Sequence, residues 1–260
     1  MNVLIGVKCV VDSNIKVRVN ADETGVEIEH SKMSINPFDE NAIEEAVKLK
    51  EQGFVNDIIA LSIGNNKCVD ILRLAIARGA SRAIWVNTNL PNVTDVLSPL
   101  TIANIFKYFI IQEKPDIILF GKQAIDDDNA QIGSMVAGIL NYPQSTAVSK
   151  IEIINLNTIH TTCEVDSGVR MMEIHTPAVI TTDLHLNTPR FIKLPQLMMA
   201  KKKEITEISF ESMNIPNHKT MRIIAVQDGE MKKDCQFLST TEEFITTLES
   251  KKSTLFVFET

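Results

Sequence analysis

No uninterrupted apolar run in this 260-residue chain approaches the ~18 residues that a membrane-spanning helix needs. An N-terminal export signal is equally unexpected, because Val3 to Val7 is too short and Lys8 interrupts it. Cysteine is scarce: Cys9, Cys68, Cys163 and Cys235 stand far apart, in no spacing that suits zinc or a redox pair, and point to a reducing compartment. The histidines are also dispersed. His160, His175 and His185 share one stretch without ligand spacing, so no metal is expected. Basic residues are outnumbered, 26 against 33, and the net charge of -7 argues against a nucleic-acid partner. Three nucleotide and nucleophile signatures are missing as well. No GxGxxG follows the first strand, no GxxxxGK[ST] occurs, and there is no GxSxG elbow. Any nucleotide must be held another way, and no catalytic residue can be named.

A hydrophobic fraction of 44% with 23% charged residues is that of a globular chain able to bury a core. Its first half alternates strand and helix patterns. Val3 to Val10 reads as one strand buried on both faces. Asp39 is placed to cap a helix with a stripe of Ala42, Ile43, Ala46, Val47 and Leu49, stopped by Gly53. A strand over Asp57 to Ile63 follows, then a helix ending at Gly79, then a strand over Arg82 to Val86. Ser98 and Pro99 form an N-cap and N1 pair for a helix running to Phe109. Ile117 to Phe120 is a fourth strand, and Ile132 to Ile139 a fourth helix. Strict rotation of this kind predicts an α/β fold, a Rossmann-like doubly wound parallel sheet. Beyond Tyr142-Pro143 the pattern alternates with hairpin turns, which predicts an antiparallel β extension from about 147 to Thr176, with a further strand over Ala178 to Thr182. Asn187 to Lys203 reads as an arm and not a packed element. A strand is expected at Met221 to Val226, and a short helix from Thr241 with Phe244, Ile245 and Leu248 on one face. The division expected is 1–186 for the α/β domain with its extension, and 187–260 for a C-terminal arm and tail.

In open parallel sheets ligands sit beyond the carboxyl ends of the strands. There the segment Gly121, Lys122, Gln123, Ala124, Ile125, Asp126, Asp127, Asp128, Asn129, Ala130, Gln131 leads from a strand into a helix at Ile132. A glycine followed by polar residues and a helix N-terminus fits a cradle of backbone N–H groups for a phosphate. Its aspartates would repel an anion, so at least one is expected to cap the helix while others turn away or meet ribose hydroxyls. A solvated acidic loop and a Mg²⁺ site are the other readings.

Five ordered stretches add a resemblance: VLIGVKCVVD from Val3, INPFDENAIEEAVKLKE from Ile35, GKQAIDDDNAQIGSMVAGIL from Gly121, VDSGVR from Val165 and DLHLNTPRFIKLPQLMMAKKK from Asp183. Over essentially its whole length the chain resembles the β-subunit family of electron transfer flavoproteins. The resemblance implies an electron-carrier subunit, not an enzyme, in obligate heterodimer with an α subunit that carries the redox-active FAD. It implies electrons taken from acyl-CoA and related dehydrogenases, as in fatty acid oxidation, and passed to a membrane quinone oxidoreductase. It also implies a structural AMP in this adenine-nucleotide-binding subunit, on Gly6, on Asn36, Pro37, Phe38 and Asp39, near Ile63, and on Gly121 through Ile132. The family often has Thr where this chain has Ile132, which leaves that phosphate contact to backbone donors. Phe38 matches an aromatic beside the partner's flavin, against a reading as a core residue anchoring the Asn36-Pro37 turn. Ser13 replaces a frequent Tyr, removing a second aromatic contact. Glu164 matches an acidic residue that pairs with an arginine near the mobile flavin domain. Leu194 matches the apolar anchor of a dehydrogenase-docking arm bordered by Arg190, Lys193 and Lys201 to Lys203, and Met199 replaces a lysine. Asp127-Asp128-Asn129 stands where electron-bifurcating members with a second FAD have a GDT loop, which favours the AMP type. The compartment implied is the cytoplasm of a bacterium or the mitochondrial matrix of a eukaryote. The rival reading is a stand-alone nucleotide-binding enzyme or sensor.

Overall fold

The computed structural model describes residues 1–28, 30–88, 97–217, 224–227, 235 and 237–255. Its strands and helices alternate as the apolar pattern requires. The first half contains β1 (Asn2–Gly6), β2 (Cys9–Val11), β3 (Met33–Ile35), α1 (Pro37–Glu51), β4 (Asp57–Gly64), α2 (Lys67–Arg78), β5 (Arg82–Asn87), α3 (Pro99–Glu113), β6 (Ile117–Gly121) and α4 (Ile132–Leu140). There follow β7 (Gln144–Asn155), β8 (Thr158–Val165), β9 (Gly168–His175), β10 (Ala178–Thr182), α5 (Leu194–Lys202), β11 (Thr206–Ser209) and α6 (Thr241–Leu255).

Nine strands form one sheet in the order β11-β5-β4-β1-β6-β10-β7-β8-β9. Pairing is parallel from β11 through β7 and antiparallel across β7, β8 and β9. The parallel sheet and the antiparallel extension are thus a single surface. Successive residues of β1 face opposite ways. Val3 and Ile5 pack with Ile43 of α1 and Leu72 of α2, while Leu4 packs with Ile105 and Phe109 of α3 and Val136 of α4. Two cores result, one on each face, which is the doubly wound arrangement. The chain steps from β1 outward through β4 to β5 and returns to β6 on the other side of β1. That reversal makes the β1/β6 boundary the switch point.

Several expectations are corrected by hydrogen bonding that the residue pattern does not reveal. The run from Val3 to Val10 is two strands, because the Lys8 amide leaves the ladder to donate to the Asp39 carboxylate (2.8 Å), and β2 pairs antiparallel with β3 instead. Asp39 does not cap α1. The helix starts at Pro37 with Asn36 in the cap position, so Asp39 lies in its first turn. The stretch after Asn187 is not an unpacked arm throughout, since Leu194–Lys202 is helical and Ala200 is buried. β11 then extends the sheet by pairing with β5. The described chain divides into two compact units, Met1–Val226 and Gln227–Thr260. The strand expected at Met221 to Val226 lies outside the described residues at 221–223, and 224–226 form no strand. In the second unit α6 begins where expected. Thr240 Oγ1 accepts from the Glu243 amide (3.2 Å), and the Glu243 carboxylate accepts from the Ser239 amide (2.8 Å).

Candidate functional site

The switch point is tied together by the turn that precedes α1. Asp39 is 5% exposed, and its two carboxylate oxygens accept from the backbone N–H of Lys8 beyond β1 and of Gly121 at the end of β6 (2.8 and 2.9 Å). Burial pushes this carboxyl up to about 7, against the pull of those hydrogen bonds. Asn36 is also buried. Its amide donates to the Gln123 carbonyl (2.8 Å), and its oxygen accepts from the Ile125 amide (3.3 Å). One turn therefore holds both diverging strand ends and the start of the polar loop. Close approach is what demands glycine at 121, where a Cβ would lie 2.6 Å from Phe38 Cβ and 3.0 Å from the Asp39 amide nitrogen. Gly6 is required in the same way against the Phe120 ring.

The aspartates of the loop are engaged, and none of them caps α4, contrary to the sequence reading. Lys8 Nζ donates to Asp126 (2.7 Å) and Asp127 (3.0 Å), and Asp128 accepts from Gln123 Nε2 (2.9 Å). The residue in the cap position of α4 is Gln131, whose side chain makes no cap bond. The first-turn N–H groups of α4 thus have no side-chain acceptor, while the loop's negative charge is offset in part by Lys8. Asp128 and Ala130 take positive φ, +49° and +52°, and the loop from Asp126 to Gln131 is exposed. This is an open run of backbone donors at a helix N-terminus, the chemistry an anion needs.

Hydrogen bonds bring Asn36 and Asp39 to Lys8, Gly121, Gln123 and Ile125, and Lys8 reaches Asp126 and Asp127, while Gly6 ends the strand beside β6 and the loop runs on, exposed, to Gln131. Ile63 stands one strand away near the end of β4, which pairs with β1. Phe38 is 8% exposed and belongs to the core, with its carbonyl accepting from Thr182 Oγ1 (2.9 Å). Sequence reasoning missed Lys8, Thr182 and Asp183. Lys8 and Asp183 are charged residues just past the ends of β1 and β10, the one signal that marked them.

The other predicted residues lie away from the crevice. Glu164 is exposed near His185 Nδ1 (3.4 Å), which contacts the Asp183 carboxylate at 2.9 Å. Asp183 also takes Lys122 Nζ (3.1 Å), and hydrogen bonds from its neighbours hold its carboxyl below the usual range although burial opposes them. Leu194 is 72% exposed, so it is no core residue. Arg190 is not free to border a partner's pocket, because its guanidinium is bound to Glu44 and Glu51 of α1. The Lys193 backbone amide donates to the Gln196 side chain (2.8 Å) at the start of α5.

The electron transfer flavoprotein domain family matches residues 24–213. The mitochondrial electron transfer flavoprotein subunit beta of Arabidopsis thaliana is 43% identical over 96% of this chain and 98% of its own. The electron transfer flavoprotein subunit beta of Bradyrhizobium diazoefficiens is 38% identical over 98% of this chain and 100% of its own, and that of Homo sapiens 39% over 96% and 97%.

Proposed function

The chain belongs to the electron transfer flavoprotein family as a β subunit, an electron-carrier component and not an enzyme, and on that footing we propose that it holds AMP structurally at the β1/β6 crevice and pairs with an FAD-carrying α subunit. The observation that carries the AMP reading is the acidic loop, its charge offset in part by Lys8, leading into an α4 N-terminus with no side-chain cap. Backbone N–H groups from Gly121 to Ile132 would take the phosphate, and the Asn36–Asp39 turn would support the nucleotide from the other side. AMP contributes binding and no redox chemistry. The loop's carboxylates raise the cost of binding an anion, and the one positive charge of Lys8, shared between Asp126 and Asp127, reduces that cost in part.

In this reading dehydrogenases of the acyl-CoA type dock on the segment around Leu194, and electrons reach a quinone oxidoreductase through the partner's FAD. Among the described residues no helix is long and apolar enough to cross a membrane, so membrane contact is assigned to that acceptor. Phe38 supports the flavin side from within the core and not as an exposed stacking surface. The compartment follows the host, as the relatives from Arabidopsis and rice are named mitochondrial. Extraction of nucleotides from the purified heterodimer tests the proposal. One FAD and one AMP per heterodimer is the expected result. Two FAD would point to the bifurcating type, and a stable, nucleotide-loaded chain without any partner would point to a stand-alone sensor.

A further inference from the structure

The helix α5 sits on the core through Ala200 and the partly buried Leu197, a small seat for its length. Ala200 is its one buried residue, and a groove of about 440 Å³ lies between α2 and α5, lined by Leu74 and Arg73 on one side and Leu197 and Lys201 on the other. Nine residues with so small a seat do not hold one orientation through packing alone. Polar anchors at both ends supply what packing does not. At the leading end Asn187 donates to Glu45 (2.9 Å) and to the Asn41 carbonyl (3.0 Å), while the Asn41 amide donates back to the Asn187 carbonyl (2.6 Å). At the trailing end Arg73 Nη1 donates to the carbonyl of Ala200 (3.2 Å), which also accepts from the Lys203 amide, and to that of Lys201 (2.9 Å) in the last turn of the helix.

Between these, Arg190 is bound on three sides. Its Nε donates to Glu44 Oε2 (2.9 Å), and Nη2 to Glu44 Oε1 (3.0 Å). Nη1 meets Glu51 Oε1 (2.6 Å), and its own amide donates to Glu44 Oε2 (3.1 Å). The Glu44 side chain is 4% exposed, so this is a buried carboxylate paired by a planar fork, the strong form of ion pair. The very next residue turns the other way: Phe191 is 96% exposed, followed by exposed Leu194, Met198 and Met199. Leu194 and Met198 lie four apart, on one side of α5.

We propose that Arg190 is a positioning residue for partner recognition: its clamp on Glu44 and Glu51 fixes the direction in which Phe191 and Leu194 are presented, so the docking surface exists before contact. The inference rests on the dehydrogenase-docking reading and assigns Arg190 an inward role in place of an outward one. When only a fraction of molecules is competent, apparent affinity falls by that fraction. An arm released from α1 would be competent only part of the time.

The test uses the holo heterodimer as the varied substrate of an acyl-CoA dehydrogenase. R190A is expected to raise KM about tenfold, as when the competent fraction falls to about one tenth, with kcat and the flavin spectrum unchanged. R190K, which keeps the charge and loses the fork, should fall between R190A and the unaltered chain. E51Q leaves Glu44 paired and removes only the exposed half of the clamp. It should raise KM about two- to threefold without lowering the melting temperature, which keeps the proposal testable if R190A does not fold. Unchanged KM in E51Q and R190K, with KM raised by L194A, would overturn the positioning role while leaving docking at Leu194 in place. Unchanged KM in L194A as well would overturn the docking reading and this inference together.

Discussion

Alanine at Gly121 is the most direct probe of how the crevice is built. The added Cβ would meet the Asp39 side chain, Phe38 Cβ at 2.6 Å and the Asp39 amide nitrogen at 3.0 Å, all on a turn held by buried hydrogen bonds. The neighbours cannot swing away, because Phe38 is in the core and Asp39 is bound to both strand ends. Overpacking of this kind costs about 1–3 kcal/mol. Separating β6 from α1 also removes the Gly121 N–H from a buried carboxylate, adding about 1–3 kcal/mol for the unmade bond. The sum, about 2–6 kcal/mol, should lower the melting temperature by roughly 4–24 °C for a chain of this size. Gly138 supplies the control. It lies within α4 with nothing within 4 Å of its Cβ position, so G138A should stabilise by about 0.5–1 kcal/mol through helix propensity alone. Thermal and urea unfolding of both variants, with bound nucleotide measured in each, decides the matter. G121A with unaltered stability and unaltered nucleotide content would refute the claim that close approach at this position assembles the crevice.

Asp39 gives a pH signature: because its folded pKa is raised from 3.8 to about 7, its contribution to stability is complete below pH 3.8 and is lost as pH rises to about 7. Unfolding free energy should fall by on the order of 1 kcal/mol per pH unit across that window from this group, and D39N should abolish that slope in denaturant titrations at several pH values. Replacing Lys8 by Met removes the one positive charge shared by Asp126 and Asp127 beside the proposed phosphate site, and equilibrium dialysis should show AMP binding weaker by about tenfold. Ser98 accepts from the Thr101 amide at the start of α3, so S98A should cost about 1 kcal/mol in urea unfolding with no change in nucleotide content.

The alternation from β1 to α4 was legible because strands buried on both faces read as apolar runs and the intervening helices carry apolar stripes. The same feature concealed the break after Gly6. An apolar run does not disclose that Lys8 gives its amide to a side chain 31 residues away. Strands β2, β3 and β11 are three or four residues long, too short for a period-two pattern to emerge. The arm's helix begins with a proline, Pro195, which stands in the first turn of α5, where its missing N–H costs no helical bond. At the crevice, the glycine and polar loop were visible as residue types at a strand end. The partial neutralisation of the loop was not, because Lys8 is 118 residues from Asp126 in sequence. Arg190 was read as a surface cation for the same reason: its partners lie on α1, and no local spacing links them.

The polar residues of α1 bear on both regions at once. A helix carrying Asp39, Asn41, Glu44 and Glu45 would ordinarily turn these toward water, but all four are buried. Unpaired, buried carboxylates cost several kcal/mol each, so their partners are a condition of the helix being there. Asp39 is satisfied by the amides of Lys8 and Gly121, and Asn41, Glu44 and Glu45 by the segment from Asn187 to Arg190. The crevice and the root of the arm are therefore opposite commitments of one helix: its first turn fixes the strand ends, and its following turns fix the arm. A perturbation that lets α1 shift along its axis would disturb both, whereas L194A, out on the exposed side of α5, should disturb neither.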